Sequence, residues 1–423
     1  MKRIIYIVFL FGVVMLLSQP TVGSSPLQYD ATVTGTGDPG QDIAAVQEAV
    51  DQGGTVLLKG TFVFGEEGRV NITRDIKING EKDAKGMPLT TIQGGFWTFH
   101  SPLPAQLPIT APGPDITIQD MGFEGALWSP IYLGYCRAAT IRNNRITNVR
   151  PKLLSKPLFG KEGFSRQQGI VLTPRFSQPE EKYQPGAVTG TLSIENNDIS
   201  MHCDDPEKTM SQGVYVLWTT GALVKVTGNS IRNCSKNSIE VLDNCLDANG
   251  KGMVMISENR IVTATKGPLI PTPSTPNGIV AGWFLDLSGG ADPARNCKIV
   301  IVGNDIETRG PSSLGIVLLA DRAVVAQNKI VIRGGPKARA IAQFGSDGFI
   351  ADNSISGTGL AAVFASPFKQ LAGSRNTFLY NQVSGFQPSA ANVILKSSHN
   401  VVCGDCGKIS APGKDNQIFL EKP

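Results

Sequence analysis

The sequence contains few aromatic residues, very few histidines and no large excess of either charge. Of its 423 residues, 7% are aromatic, three are His, and the formal net charge is +4. A chain this close to neutral lacks the basic surface that nucleic acids require, so we expect no nucleic-acid partner. It also has no glycine loop in a context that binds nucleotides and no spacing specific for zinc.

Long apolar runs are absent except at the N-terminus. Lys2 and Arg3 precede an apolar run that ends at Leu17, and small residues surround Gly23. The run is too short to span a bilayer comfortably, so we expect residues 1–23 to be a cleaved export signal. A retained N-terminal anchor is the alternative. Cleavage would leave a secreted or periplasmic protein without stable membrane insertion.

The seven Cys are an odd number, so an oxidising compartment leaves at least one of them unpaired. Cys403 and Cys406 are close enough in sequence for a small loop disulfide, although Cys-x-x-Cys is also a redox or metal motif. No second such pair accompanies them, which favours a structural role. We expect Cys136, Cys234 and Cys297 to be buried in the core.

Glycine and proline, by contrast, are abundant, as in folds of many short strands and tight turns. The strongest pattern is a six-residue repeat, apolar-x-x-Asn-x-apolar, which occurs eight times between residues 141 and 383. Its Asn residues are Asn144, Asn197, Asn229, Asn259, Asn304, Asn328, Asn353 and Asn381. They lie 53, 32, 30, 45, 24, 25 and 28 residues apart. Intervals of this size, lengthened twice by insertions, predict the coils of an all-β solenoid, the parallel β-helix.

The repeated Asn has a structural explanation that requires no catalytic role. A sharp turn between two strands favours left-handed backbone geometry, which Asn tolerates, and stacked Asn side chains can hydrogen-bond up the solenoid. A second strand precedes each repeat, as in GIVL from Gly169 to Leu172 and SIEVL from Ser238 to Leu242. Alternation places every second side chain of such a strand outside the solenoid.

The N-terminal part predicts a cap for the solenoid. We expect a tail at residues 24–40, an amphipathic α-helix from Gln41 to Asp51 and then a strand from Thr55 to Phe64. A helix at this position covers the open end of the first coil. Residues 41–423 are predicted to form a single β-helix domain, and we expect a monomer.

The N-terminal DIAAVQEAVDQGGTVLLKGTF, the Asn coils and the GIxL strands resemble the right-handed parallel β-helix proteins of the pectin-lyase-like superfamily. The resemblance covers nearly all of residues 38–420. It implies polysaccharide lyases, polygalacturonase-type hydrolases or uronate epimerases as the commonest activities, and adhesins among the other members. Asp204 and Asp205 form an Asp-Asp pair, but the sequence has no Gly-His-Gly element, which argues against classical polygalacturonase activity.

Four insertions interrupt the central coils, and we expect them to form loops around one face of the solenoid. They are the segments 148–168, 173–190, 200–212 and 263–277. The first is basic, as is Arg175 just after it. Basic loops at a groove suit a uronate or sulfated polymer, although a merely solvated loop is the simpler explanation of the charges. The third contains His202 and several acids.

Two aligned columns of the second strands give the candidate site. The outward column is Tyr132, Val171, Tyr215, Glu240, Val280, Val317, Ala342 and Ala361, in which Glu240 is the only charge. Three residues further along stand Tyr135, Pro174, Trp218, Asp243, Trp283, Ala320, Gly345 and Phe364. A carboxylate in an apolar column has the environment of a general acid.

Glu240 and Asp243 are therefore the predicted catalytic acid and base or nucleophile. Trp218 and Trp283 are predicted to stack on a sugar, as aromatic rings do on apolar C–H faces, and we assign Tyr215 and Arg175 to substrate binding. The alternative is structural: the Trp rings pack against loops, Asp243 holds turn amides and Glu240 pairs with a loop cation. No metal site is predicted, although Asp243 with Asp286 offers oxygen ligands suited to Ca²⁺.

Two functions remain open at this point. The first is an exported carbohydrate-active protein that acts on a polysaccharide or oligosaccharide as a lyase, hydrolase or epimerase in a groove on the central coils. The second is a non-catalytic β-helix of the cell envelope that binds a polymer or serves structurally.

Overall fold

The computed structural model describes residues 28–157, 161–177, 183–269, 276–283, 296–369, 371–386, 392–404 and 407–419. Within these ranges the chain forms one α-helix and three long parallel sheets, which we call sheets A, B and C. The chain passes repeatedly from A to B to C and back to A, and each strand pairs in parallel with its equivalent one coil away. The predicted right-handed parallel β-helix is confirmed.

Sheet A contains the strands that precede the Asn turns. They are β1 (Ala31–Thr34), β2 (Gly54–Lys59), β5 (Ile76–Gly80), β8 (Asp115–Gln119), β11 (Ala138–Arg142), β15 (Thr191–Glu195), β18 (Leu223–Thr227), β21 (Met253–Ser257), β24 (Lys298–Val302), β27 (Val324–Ala326), β30 (Phe349–Ala351), β33 (Thr377–Leu379), β36 (Val401–Cys403) and β38 (Gln417–Phe419).

Sheet B follows the Asn turns. Its strands are β3 (Thr61–Gly65), β6 (Thr90–Gly94), β9 (Met121–Glu124), β12 (Arg145–Thr147), β16 (Asp198–Ser200), β19 (Ser230–Arg232), β22 (Arg260–Val262), β25 (Asp305–Thr308), β28 (Lys329–Arg333), β31 (Ser354–Thr358) and β34 (Gln382–Ser384).

Sheet C contains the predicted second strands. They are β4 (Val70–Asn71), β7 (Phe99–Ser101), β10 (Ile131–Leu133), β14 (Ser165–Leu172), β17 (Thr209–Leu217), β20 (Asn237–Leu242), β23 (Asn277–Gly282), β26 (Leu314–Leu319), β29 (Arg339–Gln343), β32 (Ala361–Ala365), β35 (Val393–Leu395) and β37 (Ile409–Ser410), and β13 (Lys152–Leu153) adds an antiparallel edge to β14.

The core is a stack of aliphatic side chains that alternation in the strands directs inward. In sheet A, Ile141 pairs with Ile194, and the same column continues through Val226 and Ile256, all with 0% exposure. No single coil could bury these residues, so each coil is stabilised by its neighbours.

The eight repeat Asn lie in the turns between sheets A and B and are buried there. Seven side-chain hydrogen bonds of 2.8 to 3.0 Å link them, from Nδ2 of Asn144 to Oδ1 of Asn197 and onward to Asn381. The left-handed geometry, however, lies one residue earlier than we expected. The residues with positive φ are Asn143, Asn196, Gly228, Glu258, Gly303, Gln327, Asp352 and Tyr380. The repeat Asn therefore serve as hydrogen-bonding groups, and their predecessors make the turn.

The N-terminal helix α1 (Pro39–Gln52) packs on β3 and caps the first coil as predicted, although it begins two residues earlier. Asp38 accepts from the Gln41 amide at 2.9 Å, which satisfies one of the free amides at the helix start. β1 lies within the segment that we expected to be a tail. The predicted strand from Thr55 to Phe64 is divided at Gly60, where φ is +77°.

The insertions flank sheet C. Three lie between sheets B and C, and the segment 173–190 lies between C and A. The ends of two insertions extend the sheet, because β14 begins at Ser165 and β17 at Thr209. The register also corrects one member of the outward column: Ala342 pairs with Phe364, whereas Ala361 pairs with Arg339.

Cys136, Cys234 and Cys297 are buried free thiols, and Cys403 also carries a free thiol. Burial raises the pKa of the Cys136 and Cys234 thiols to about 12. Cys406 lies outside the described residues, as do residues 1–23. Among the helices of the described ranges, none has the length and apolarity needed to cross a membrane.

Candidate active site

The outer face of sheet C brings the predicted column together. Tyr132, Val171, Tyr215, Glu240 and Val280 are paired across consecutive strands in this order. Glu240 is 5% exposed and Tyr215 is 2% exposed. Glu240 is therefore a carboxylate in a mostly apolar column, as the alignment predicted.

A column of amide side chains runs beside this one and holds Glu240 in place. The Trp128 indole donates to Gln168 at 2.8 Å, and Gln168 donates to Gln212 at 2.7 Å. Gln212 Nε2 and Asn237 Nδ2 then both donate to Oε2 of Glu240, the latter at 2.5 Å. The carboxylate is thus oriented by two donors from two coils, and this arrangement offsets part of its desolvation.

Sequence reasoning missed this amide column, although a signal was present. Gln168, Gln212, Asn237 and Asn277 each stand directly before the Gly or Ser that begins the apolar part of a sheet C strand. Aligning the residue before that Gly or Ser would have revealed four amides in a row.

Three cations, Lys236, Arg166 and Arg175, lie near one another, and Lys236 is close to Glu240. Lys236 lies directly before β20, and burial lowers the pKa of its ammonium, while Glu240 opposes this shift and Arg166 and Arg175 add to it. Arg166 is 8% exposed and its guanidinium lies 4.5 Å from the centroid of the Phe176 ring. The predicted binding residue Arg175 contacts Tyr215, the strand neighbour of Glu240, but Lys236 and the position of Arg166 were not predicted.

Tyr215 contacts Arg175 and is paired with Glu240 on the next strand. Its hydroxyl accepts from Nη1 of Arg175 at 3.2 Å. Burial raises the pKa of the Tyr215 phenol; Arg175 opposes this shift, and the Glu240 carboxylate strengthens it. The phenol therefore keeps its proton and is a potential proton donor.

The other predicted residues are buried at the edge of this face. Asp243 has 0% exposure, lies at a φ of +52° and donates its amide to Gly282 at 2.8 Å. Trp218 and Trp283 are 1% and 2% exposed, Trp218 beside Tyr183 and Trp283 against Cys245. A sugar-binding role for these two rings remains a prediction, and the structure leaves almost none of their ring area open to solvent.

An aromatic cluster that we did not predict covers the N-terminal coils of the same face. Trp97 stacks on Tyr132 with centroids 4.3 Å apart, and Phe96, Trp128 and Phe176 surround this pair. Trp97 and Trp128 both have positive φ, of +50° and +67°. Bulky residues rarely adopt this geometry, and such strain is concentrated at functional sites.

The other predicted loop clusters lie outside this face. His202 donates or accepts at 2.9 Å with Asp204, and both side chains are largely exposed. A pocket of about 280 Å³ lies beside them, lined by Cys203, Lys266 and Arg309 among others. In the described ranges no three His, Cys, Asp or Glu side chains form a metal-binding group, and Asp286 lies outside those ranges.

Comparison with known proteins finds solved structures that are similar to the chain at low sequence identity. No family model and no curated protein matches the sequence. Among solved structures, the chain is similar to the A-module of the mannuronan C-5 epimerase of Azotobacter vinelandii, with 11% identity, 88% of this chain and 100% of that chain covered, and a TM-score of 0.39. It is also similar to a mannuronic acid specific family 6 polysaccharide lyase from human gut microbiota, at 13% identity, 93% and 87% coverage and a TM-score of 0.45. A third similar structure is a lacto-N-biosidase from Eubacterium ramulus. It has 12% identity and a TM-score of 0.45, and the match covers 89% of this chain and 64% of that chain.

Proposed function

We propose that this protein is an exported carbohydrate-active enzyme that abstracts a proton from a uronate residue of an acidic polysaccharide, as a lyase or an epimerase. The observation that supports this proposal is the convergence of Arg166, Arg175 and Lys236 with Glu240 and Tyr215 on the outer face of sheet C. Export rests on residues 1–23 and is part of the proposal.

The cations suit a substrate that carries its own carboxylate. When the hydrogen next to a uronate carboxylate is removed, negative charge develops on the carboxylate oxygens. Fixed guanidinium groups stabilise such charge, and Arg166 and Arg175 are positioned by the Phe176 ring and by Tyr215. A neutral sugar offers these charges no anionic partner.

Lys236 and Tyr215 provide the proton transfers. Lys236 is the base that takes the proton from carbon, and burial, by lowering the pKa of its ammonium, favours this role. The raised pKa of Tyr215 keeps a proton on the phenol. In a lyase, Tyr215 gives this proton to the leaving glycosidic oxygen as the carbon–oxygen bond breaks and a double bond forms. In an epimerase, it protonates the same carbon from the opposite face.

Glu240 acts in this proposal as a positioning residue. Gln212 and Asn237 fix its carboxylate, whose charge counteracts the effect of burial on the Lys236 pKa. Asp243, the second predicted catalytic carboxylate, is retained as a candidate for orienting the strand ends. A hydrolase would need two carboxylates facing the scissile bond, and Oε2 of Glu240 is already held by two amides.

The deciding experiment is an activity screen of uronate and neutral polysaccharides. Unsaturated products indicate a lyase, incorporation of solvent deuterium without cleavage indicates an epimerase, and new reducing ends without unsaturation indicate a hydrolase. Lys236→Met should abolish the reaction, whereas Lys225→Met, a lysine on β18 of sheet A, should leave it unchanged. Hydrolysis of a neutral polymer, or full activity in Lys236→Met, would refute the proposal.

The alternative is a non-catalytic β-helix that binds a polymer or serves structurally. The burial of Tyr215, Trp218, Trp283 and Asp243 favours it, because these residues then serve as packing for the loops beside sheet C. Binding of an acidic polysaccharide without turnover of any substrate in the screen would support this alternative.

A further inference from the structure

Three half-buried aromatic side chains form a line on the outer face of sheet C, on the N-terminal side of Glu240. Phe96 and Trp128 have ring centroids 6.0 Å apart, and Trp128 and Phe176 have centroids 5.4 Å apart. We call these three residues the aromatic strip. Its last ring, Phe176, is stacked 6.0 Å from Tyr215, so the strip leads directly to the candidate active site.

A buried layer supports the strip from below. Trp97 stacks on Phe96 with centroids 4.9 Å apart, and it also stacks on Tyr132, which is fully buried. The Tyr132 hydroxyl accepts from the backbone amide of Phe176 at 3.0 Å. The rings of the strip are therefore held by packing and hydrogen bonding, and a ligand that stacks on them would not have to order them first.

Cations lie along the whole strip. The Arg69 guanidinium is 4.8 Å and the Lys152 ammonium 5.5 Å from the centroid of Phe96. At the other end, Arg175 is 5.3 Å from the centroid of Phe176. Among the described residues, neither Arg69 nor Lys152 forms a salt bridge. The Glu67 carboxylate acts on Arg69 at longer range and compensates part of its charge. With Lys152 at the same end and Arg175 at the other, positive charge remains at both ends and is complementary to an anionic ligand.

We propose that the aromatic strip binds a short run of residues of an acidic polysaccharide that extends from the active site toward the N-terminal coils. The apolar C–H faces of the sugar rings stack on Phe96, Trp128 and Phe176, and the acidic groups pair with Arg69, Lys152 and Arg175. The strip spans two coil spacings, roughly 10 Å at about 4.8 Å each. This inference rests on the proposed function, since the bound chain is the continuation of the substrate.

The test is equilibrium binding, measured by calorimetry with oligouronates and with neutral oligosaccharides of the same length. Trp128→Ala should weaken oligouronate binding about tenfold, as expected for the loss of one stacked ring. Trp128→Phe, which keeps a ring and loses only the hydrogen bond to Gln168, should restore most of the affinity. Phe349→Ala, which removes a 41% exposed ring on β30 of sheet A, is the matched control and should have no effect.

Lys152→Met should weaken binding of oligouronates but not of neutral oligosaccharides, and Lys225→Met should change neither. Unchanged affinity in Trp128→Ala, or equal affinity for single-stranded DNA and oligouronates, would overturn the inference. Binding that depends on the strip, without turnover of any substrate, would refute the proposed enzymatic function but support the strip as a binding site. Turnover with a KM that is the same in the wild type and the strip variants would support the enzymatic function and refute the strip as a binding site.

Discussion

The side-chain amide of Gln212 donates to Oε2 of Glu240 on the next coil of sheet C, and Asn237 donates to the same oxygen. One carboxylate oxygen is thereby fixed by two neighbouring coils, next to a lysine whose pKa is lowered by burial. The substitution Glu240→Gln therefore removes the charge and keeps the shape of the side chain, because the amide oxygen of Gln can accept both hydrogen bonds.

Glu240→Gln should move the pH profile of activity toward lower pH. The Glu240 charge raises the pKa of both Lys236 and Tyr215, so its removal lowers both. If Lys236 is the base and Tyr215 the acid, both limbs of the profile shift to lower pH. The measurement is kcat/KM against pH, with Glu195→Gln on sheet A as the control. A profile that stays in place would remove Glu240 from the electrostatics of the site.

Asn259→Ala should strongly destabilise the solenoid. Asn259 is 1% exposed, donates to Val226 O at 2.8 Å and accepts from the Asn229 backbone amide at 3.0 Å. Its truncation leaves at least two buried backbone groups without partners, which costs about 1–3 kcal/mol each. Urea unfolding measures the loss. The exposed Asn249→Ala is the control, and an equal effect of both variants would contradict a stabilising role for the Asn column.

Gly303 and Gly228 occupy the same turn position and should respond differently to Ala. Both have a φ near +67°, so each substitution adds strain of about 1 kcal/mol or more. A Cβ at Gly303 would lie 3.8 Å from the nearest atom, whereas at Gly228 it would lie 2.3 Å from Oδ1 of Asn196. Gly228→Ala should therefore be the more destabilising variant. Thermal unfolding of the two proteins tests this ranking, and equal destabilisation by the two variants would show that Asn196 moves aside freely.

His100 should make stability depend on pH in the mildly acidic range. Burial lowers its pKa from 6.5 to about 3, and the Arg69 charge adds to this shift. Below about pH 6.5 the unfolded chain binds a proton that the folded protein excludes until about pH 3, so stability falls as the pH falls through this window. The full window corresponds to roughly 4–5 kcal/mol. His100→Gln should flatten this part of the unfolding free energy against pH, and His202→Gln, on an exposed loop, should not.

The fold could be predicted because the Asn repeat reports the coil length directly. Ile141, Ile194 and Val226 pair in the register that their alignment gave, and helix α1 forms where helical spacing indicated it. The positive φ was assigned to the wrong residue, because a repeated Asn is consistent both with a left-handed turn position and with a column of hydrogen-bonded side chains. Only the backbone distinguishes them: Glu258 makes the turn and Asn259 makes the bond.

The site was predictable only in part. Strand alternation was enough to bring Tyr215 and Glu240 side by side. Strand alternation gave no information about Lys236, in the short turn between β19 and β20, or about Arg166, which lies where an insertion ends and β14 begins. Strand alternation also did not predict that Trp218 and Trp283 are buried. The exposure of a side chain beyond a strand end depends on how the loops fold over it.

The turns between sheets A and B have a consequence for protein engineering. Insertions occur in the other two kinds of turn, whereas every A to B turn from β11 to β34 has the same length and the same hydrogen-bonded Asn. Because these turns are equivalent, one coil can be removed and its neighbours joined without changing the turn geometry. Excising the 25 residues from Gln327 to Ala351 would bring Asn304 next to Asn353, two groups that already make the complementary bonds to Asn328. A shortened protein with its candidate active site and aromatic strip unaltered could be made in this way.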